Sequence, residues 1–213
     1  MRVTICLLLL MFCINSFAQT STYKSVSETR KKEIENNLLK ASKEIKTLQC
    51  GFIQEKSSVL LVETAKSEGN MLYKSPSSLR WEYLKPTNFA LILNNEDVYL
   101  KTDNGIVANS NKMFKQLGSL IISTINGESL TDSKNFYVEY FESESDKKVI
   151  LVKLTPVPKR MKEIYSAIKI KIDSSDYLAT EIIMEEKSGD ITTIIFLNKK
   201  TNMNIPSESF SAN

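Results

Sequence analysis

Apolar positions follow two different periods along this chain. Ile34, Leu38, Ala41, Ile45 and Leu48 are spaced by four, three, four and three, which places them on one stripe of a helix. Arg30, Lys31, Lys32, Lys40, Lys43 and Lys46 occupy the other faces as a solvated surface. Ser25 and Glu28 have capping-box spacing and predict where the helix starts. After Leu48 the period falls to two. "CGFIQEK", "SSVLLVETAKSEGNMLYK", "SSLRWEYLKP", "FALIL", "VYLKTD" and "IVAN" read as strands. Asn94-Asn95 and Asn104-Gly105 separate some of them and tolerate the positive φ that tight hairpins require.

One segment interrupts the strands. Met113, Phe114, Leu117, Leu120, Ile121, Thr124 and Ile125 return to helical spacing, and Asn126-Gly127 reads as the cap that ends it. "FYVEYF" and "KKVILVKL" then flank the turn "ESESD", with Pro156 and Pro158 closing the second. "IYSAIKIKI" puts Ile164, Ile168, Ile170 and Ile172 mostly on one side and Lys169 and Lys171 on the other. "YLATEIIMEE" and "ITTIIFLNKK" form a last hairpin around "KSGD". About ten strands in such pairs predict an antiparallel meander in one domain, with no linker and no repeat. "VLLV", "FALIL" and "TTIIFL" are apolar on both faces, and a flat sheet of that kind needs cover on both sides. Curling the sheet buries one face in its own concavity, with the two helices as plugs.

The first residues bear on location. Arg2 precedes an apolar run from Val3 to about Ile14, followed by Ser16-Phe17-Ala18. Small residues at 16 and 18 fit a signal peptidase, so residues 1–18 read as a secretory signal cut before Gln19. The run is shorter than the roughly 20 residues of a membrane span. Neither Cys6 nor Cys13 follows a small residue, as a lipid-modified cysteine would. Both leave with the signal, and Cys50 remains as a small buried hydrophobe with no intramolecular partner. The balance of 28 Lys and Arg against 25 Asp and Glu gives no argument for nucleic acid.

Residues for chemistry are scarce. There is no histidine, which removes Ser-His and Cys-His catalysis and most catalytic zinc sites. Ser166 and Lys169 have dyad spacing but lie in a strand pattern, where i and i+3 face opposite ways; Ser145 and Lys148 lie in a turn. Glu142, Glu144 and Asp146 form an acidic hairpin tip without the pattern of a calcium loop. With six glycines and no glycine-rich phosphate loop, no enzyme, cofactor or metal site is indicated.

What remains is apolar surface. The stretch "EGNMLYKSPSSLRWEYLKPTNFALILNNEDVYLKTDN", which holds Trp81, the only tryptophan, resembles the signature of the outer-membrane lipoprotein carrier (LolA-like) family. "LQCGFIQEK", "VILVKLTPVP", "DSSDYLATEIIMEEKSGDITTIIFLN" and "NIPSESF" resemble other segments of that family in order and spacing. The resemblance implies a mainly β fold with helices: an incomplete antiparallel β-barrel of about eleven strands, a half-barrel with helices covering the concave face. It implies a periplasmic monomer that shields lipoprotein acyl chains. It would receive cargo from an inner-membrane ABC-type release complex and pass it to an outer-membrane acceptor. On this reading Leu79, Trp81, Tyr83, Phe52, Leu91 and Leu93 line the acyl-chain cavity, and Ile34, Leu38, Phe114, Leu117 and Ile121 belong to the lid. The family's turn arginine, which ties lid to barrel, falls at Ser75 here; Lys74 or Arg80 would have to replace it, and Arg80 should point away from Trp81. A lipid- or lipoprotein-sensing regulatory domain of the same fold is the alternative.

Overall fold

The computed structural model describes residues 23–60, 63–95, 97–108, 112–128, 130 and 132–211, with backbone alone at 106–108, 112–114, 116 and 117. The predicted signal, residues 1–18, lies outside them. Twelve strands form one antiparallel sheet: β1 (Tyr23–Ser25), β2 (Thr47–Ser57), β3 (Ala65–Lys74), β4 (Ser78–Lys85), β5 (Phe89–Asn94), β6 (Asp97–Thr102), β7 (Gly105–Ala108), β8 (Phe136–Ser143), β9 (Val149–Pro156), β10 (Tyr165–Asp173), β11 (Ala179–Glu186) and β12 (Ile191–Thr201). Two meanders, β2 to β7 and β8 to β12, join where β12 pairs with β2, the two longest strands. β1 and β7 are the edges and do not pair, so the barrel is open. The strand missing from the sequence pattern is β1, three residues beside β8.

Helix α1 (Glu28–Glu44) connects β1 to β2, α2 (Lys112–Ile125) connects β7 to β8, and α3 (Lys159–Ile164) connects β9 to β10. The position of α2 follows from topology. It leaves one edge strand and must reach the neighbour of the opposite edge, so the connection crosses the mouth of the open sheet.

Some local expectations change. The N-cap of α1 is Ser27, whose hydroxyl accepts from the Arg30 N–H, and Ser25 belongs to β1. The helix ends at Glu44; Ile45 is already extended and Leu48 is in β2. Their spacing continued the helical stripe because Leu48 faces the same core as Ile34 and Leu38. Ile164 closes α3 and is exposed, so it is not a strand residue; Pro158 fixes a helix-compatible start there. "VLLV" is not a two-faced strand, since Val59 and Leu60 stand exposed in the turn after β2, and residues 61 and 62 lie outside the described residues. The second helix forms where its spacing placed it, and Gly127 follows with φ +72, a conformation costly for other residues.

Register builds the core in rows. Leu48, Tyr73, Leu79, Leu93 and Val98 stand opposite one another across β2 to β6, and Cys50, Met71, Trp81 and Leu91 form the next row. Tyr140, Val152, Ile170, Ile182 and Ile194 cross the other half. Ile34 and Leu38 from α1 and Ile121 and Ile122 from α2 join them in one buried cluster, which marks this as the concave face. The opposite face carries Leu72, Arg80, Ile92 and Tyr99. A single 3-10 turn, Ser207–Phe210, lies against β4 and β5 and buries Phe210.

Candidate functional site

The concave wall is densest at β2, β4 and β5. Phe52 stacks on Trp81 with ring centroids 4.0 Å apart, Tyr83 meets Phe52 edge-on at 5.3 Å, and Tyr83 stacks on Phe89 at 4.5 Å. Phe196 of β12 reaches the Trp81 edge at 6.2 Å. Gly69 makes the stack possible: a Cβ there would sit 2.5 Å from the Phe52 ring and 2.0 Å from the Glu82 carbonyl oxygen. The Tyr83 hydroxyl donates to Gln54 Oε1 at 2.8 Å, and burial pushes its phenol up from its ordinary range. The buried Trp81 Nε1 makes no hydrogen bond of full geometry among the described residues, the Tyr83 hydroxyl being its polar neighbour.

The structure thus brings together Leu79, Trp81, Tyr83, Phe52, Leu91 and Leu93 on the concave face, all buried. With α2 in place, Leu93 borders the open groove beside the helix. Ile34, Leu38 and Ile121 are buried beneath or between the helices, whereas the side chains of Phe114 and Leu117 lie outside the described residues.

Helix α2 divides the concavity. On one side is a cavity of about 30 Å³ among Leu48, Cys50, Met71, Ile121, Ile182 and Phe196. On the other is an open groove of about 600 Å³ bordered by Leu93, Leu120, Ile122 and Phe136 and also by the charged Lys115, Glu128 and Asp132. The helix reaches the sheet through Gly118, where a Cβ would lie 2.6 Å from a Leu93 methyl. Cys50 is almost wholly buried, and that burial pushes its thiol up to about 12, with Lys199 partly opposing.

Polar ties hold the helices. Arg30 of α1 contacts the Glu142 carboxylate of β8 at 2.7 and 2.8 Å, and Asn37 Nδ2 donates to the Tyr177 hydroxyl at 2.8 Å. After α2, the Tyr73 hydroxyl donates to Asn126 Oδ1, while Asn126 Nδ2 donates to the Pro76 carbonyl at 3.2 Å. Burial raises the Tyr73 phenol; hydrogen bonding with Ser75 opposes this, Glu128 adds to it, and Asn126 opposes it. Ser75 therefore stands beside the tie, at the Ser75-Pro76 turn. Arg80 lies on the opposite face, paired with Glu82 at 2.6 Å. The sequence reading missed Arg30, Asn37, Tyr73, Gly118 and Asn126. Asn126 had been read only as a helix end, and the other contacts join residues far apart in sequence.

Ser166 and Lys169 are both engaged by Glu185, the serine with its carbonyl and the lysine with its carboxylate. Among the described residues no group of three His, Cys, Asp or Glu could hold a metal ion, and no helix is long and apolar enough to cross a membrane.

An open antiparallel barrel whose apolar concavity is filled by its own helices is a carrier and binding fold. The chain belongs to the family described as outer membrane lipoprotein carrier protein LolA, whose family model matches residues 43–213. No curated protein matches the chain. Among solved structures, a LolA superfamily protein from Nitrosomonas europaea is 14% identical, with 83% of this chain and 97% of that chain covered and a TM-score of 0.47. The Pseudomonas aeruginosa MucA/MucB complex gives 10% identity, 86% and 61% coverage and a TM-score of 0.48. LprF from Mycobacterium bovis gives 13%, 86%, 99% and 0.42.

Proposed function

We propose that this protein is a periplasmic carrier that shields lipoprotein acyl chains in its concavity and delivers lipoproteins to the outer membrane. The observation that carries the reading is α2 itself. It crosses the mouth, places Ile121 and Ile122 in the buried cluster, and leaves a small cavity on one side and an open groove of mixed lining on the other. These are contacts that an acyl chain can replace in kind.

The energetics require such a device. Each buried methylene is worth about 0.8 kcal/mol, so a chain of about 15 carbons resists exposure to water by roughly 12 kcal/mol. Release would be too slow if all of that gain were retained. A helix that must leave the concavity to admit cargo, and returns when cargo departs, offsets part of it. The Tyr73–Asn126–Pro76 hydrogen bonds anchor the end of α2 to the β3–β4 turn and support a latch role there. Ser75 belongs to that turn, and on this reading these hydrogen bonds take over the role of the missing arginine. An inner-membrane ABC-type donor and an outer-membrane acceptor complete the route, and the predicted leader supplies export.

Native mass spectrometry of protein purified from the periplasm without detergent, with bound lipid extracted and identified, tests this reading. Bound lipoprotein or acyl lipid is expected. Protein without ligand that also leaves an environment-sensitive apolar dye unbound would make the concavity a permanent core.

A further inference from the structure

A charged side chain, Lys199, lines the small cavity on one side of α2. Between Leu197 and Lys200 the pairing of β12 with β2 slips: Leu197 faces Gly51 and Lys200 faces Gln49, so three steps on β12 answer two on β2. Asn198 adopts the left-handed conformation within this bulge, at φ +54. Bulges re-aim side chains. Here Lys199 lines the small cavity with Cys50, Met71, Phe196 and Ile182, its side chain 17% exposed.

Its contacts are long. The ammonium lies 3.5 Å from the carboxylate of Asp176, which is 44% exposed, and 3.5 Å from the Leu178 carbonyl oxygen. Asp173 and Cys50 also lie in its field, and the Tyr177 phenol lines the same cavity. An ion pair with a half-exposed partner contributes little, whereas desolvating an ammonium beside an apolar wall is costly. A lysine serving the fold alone would extend into water, as the neighbouring exposed Lys200 does.

We propose that Lys199 is a head-group anchor and that the cavity takes acyl-chain amphiphiles with an anionic head. This rests on the carrier reading above. The acyl chain replaces α2 against Cys50, Met71 and Phe196, and its carboxylate or phosphate displaces Asp176 from the ammonium. A neutral acylated group gains nothing from Lys199, so this one residue sets selectivity between charged and uncharged cargo.

Displacement of a bound environment-sensitive dye by dodecanoic acid, dodecyl phosphate and dodecanol tests this, with the unmodified protein, Lys199→Met and Asp176→Asn. The unmodified protein should bind an anionic ligand about tenfold or more tighter than the alcohol. The acid-to-phosphate ratio distinguishes a fatty-acid head from a phosphate head. Lys199→Met should abolish the preference while keeping alcohol affinity, and Asp176→Asn should increase the preference. Added salt should weaken anion binding and spare the alcohol in the unmodified protein, a readout that does not depend on any variant folding. Equal binding of all three ligands, or a preference that survives Lys199→Met, would overturn the anchor and leave the carrier reading intact. Binding of none of the three by the unmodified protein would overturn both.

Discussion

Helices α1 and α2 both pack on the concave face, but by different means. α1 is polar over most of its surface, buries Ile34 and Leu38, and is placed by Arg30–Glu142 and Asn37–Tyr177, contacts that depend on geometry. α2 contributes Ile121, Ile122 and partly buried Leu120 and Ile125, approaches Leu93 through a glycine, and has a polar tie at its end in Asn126. Apolar contacts of the α2 kind have no directional requirement, so a lipid chain can substitute for them. Ion pairs and hydrogen bonds of the α1 kind cannot be matched by a hydrocarbon. α1 is thus held by directional contacts as well as apolar ones, and α2 mainly by apolar ones.

The largest effect should come from breaking the wall behind both helices. Trp81→Ala removes a ring stacked on Phe52 and is expected to cost about 3–5 kcal/mol in urea unfolding. Trp81→Phe should cost clearly less, because it keeps an aromatic ring and removes an N–H that makes no hydrogen bond of full geometry.

The comparison sharpens with Cys50 as reporter. The thiol is buried beside Ile121 and pushed up to about 12, so maleimide should label it slowly near pH 8. Gly118→Val drives a side chain into Leu93, and overpacking of about 1–3 kcal/mol should raise the labelling rate about tenfold. Arg30→Met should cost about 0–1 kcal/mol, the range of a part-exposed ion pair, and leave labelling unchanged. Equal acceleration in the two variants would abolish the distinction between the helices.

Asn126→Ala should loosen only the end of α2, by about 1 kcal/mol, with a smaller rise in labelling than Gly118→Val. The smallest effect is acid sensitivity at two turns. Asp132, before β8, is held below the usual aspartate range mainly by the Asn135 side chain. Asp173, in the turn that carries Tyr177 to α1, is held low mainly by Ser175. A carboxylate depressed in the folded state stabilises above its unfolded value of about 3.9, and that contribution is lost as pH falls through the folded value. Thermal unfolding should therefore decline slightly below about pH 4, and less so in Asp132→Asn.

The period of apolar residues was enough to determine most of the elements, the second helix with its Asn126-Gly127 end, and the concave row Leu79, Trp81 and Tyr83, because alternation in a strand fixes which face a side chain takes. It also implied curling, since two-faced apolar strands need cover. It misjudged Leu48, Ile164 and Val59: Leu48 lies in β2 but faces the same core as α1, Ile164 closes α3, and Val59 stands exposed in the turn after β2. Only the tertiary structure decided how each helix is held. Gly118 against Leu93, Asn126 with Tyr73, and Arg30 with Glu142 are contacts between residues distant in sequence, created by the order of strands. Lys199 shows the same limit at one residue: its place at the small cavity comes with a slip in pairing with β2, and pairing is a property of two strands together.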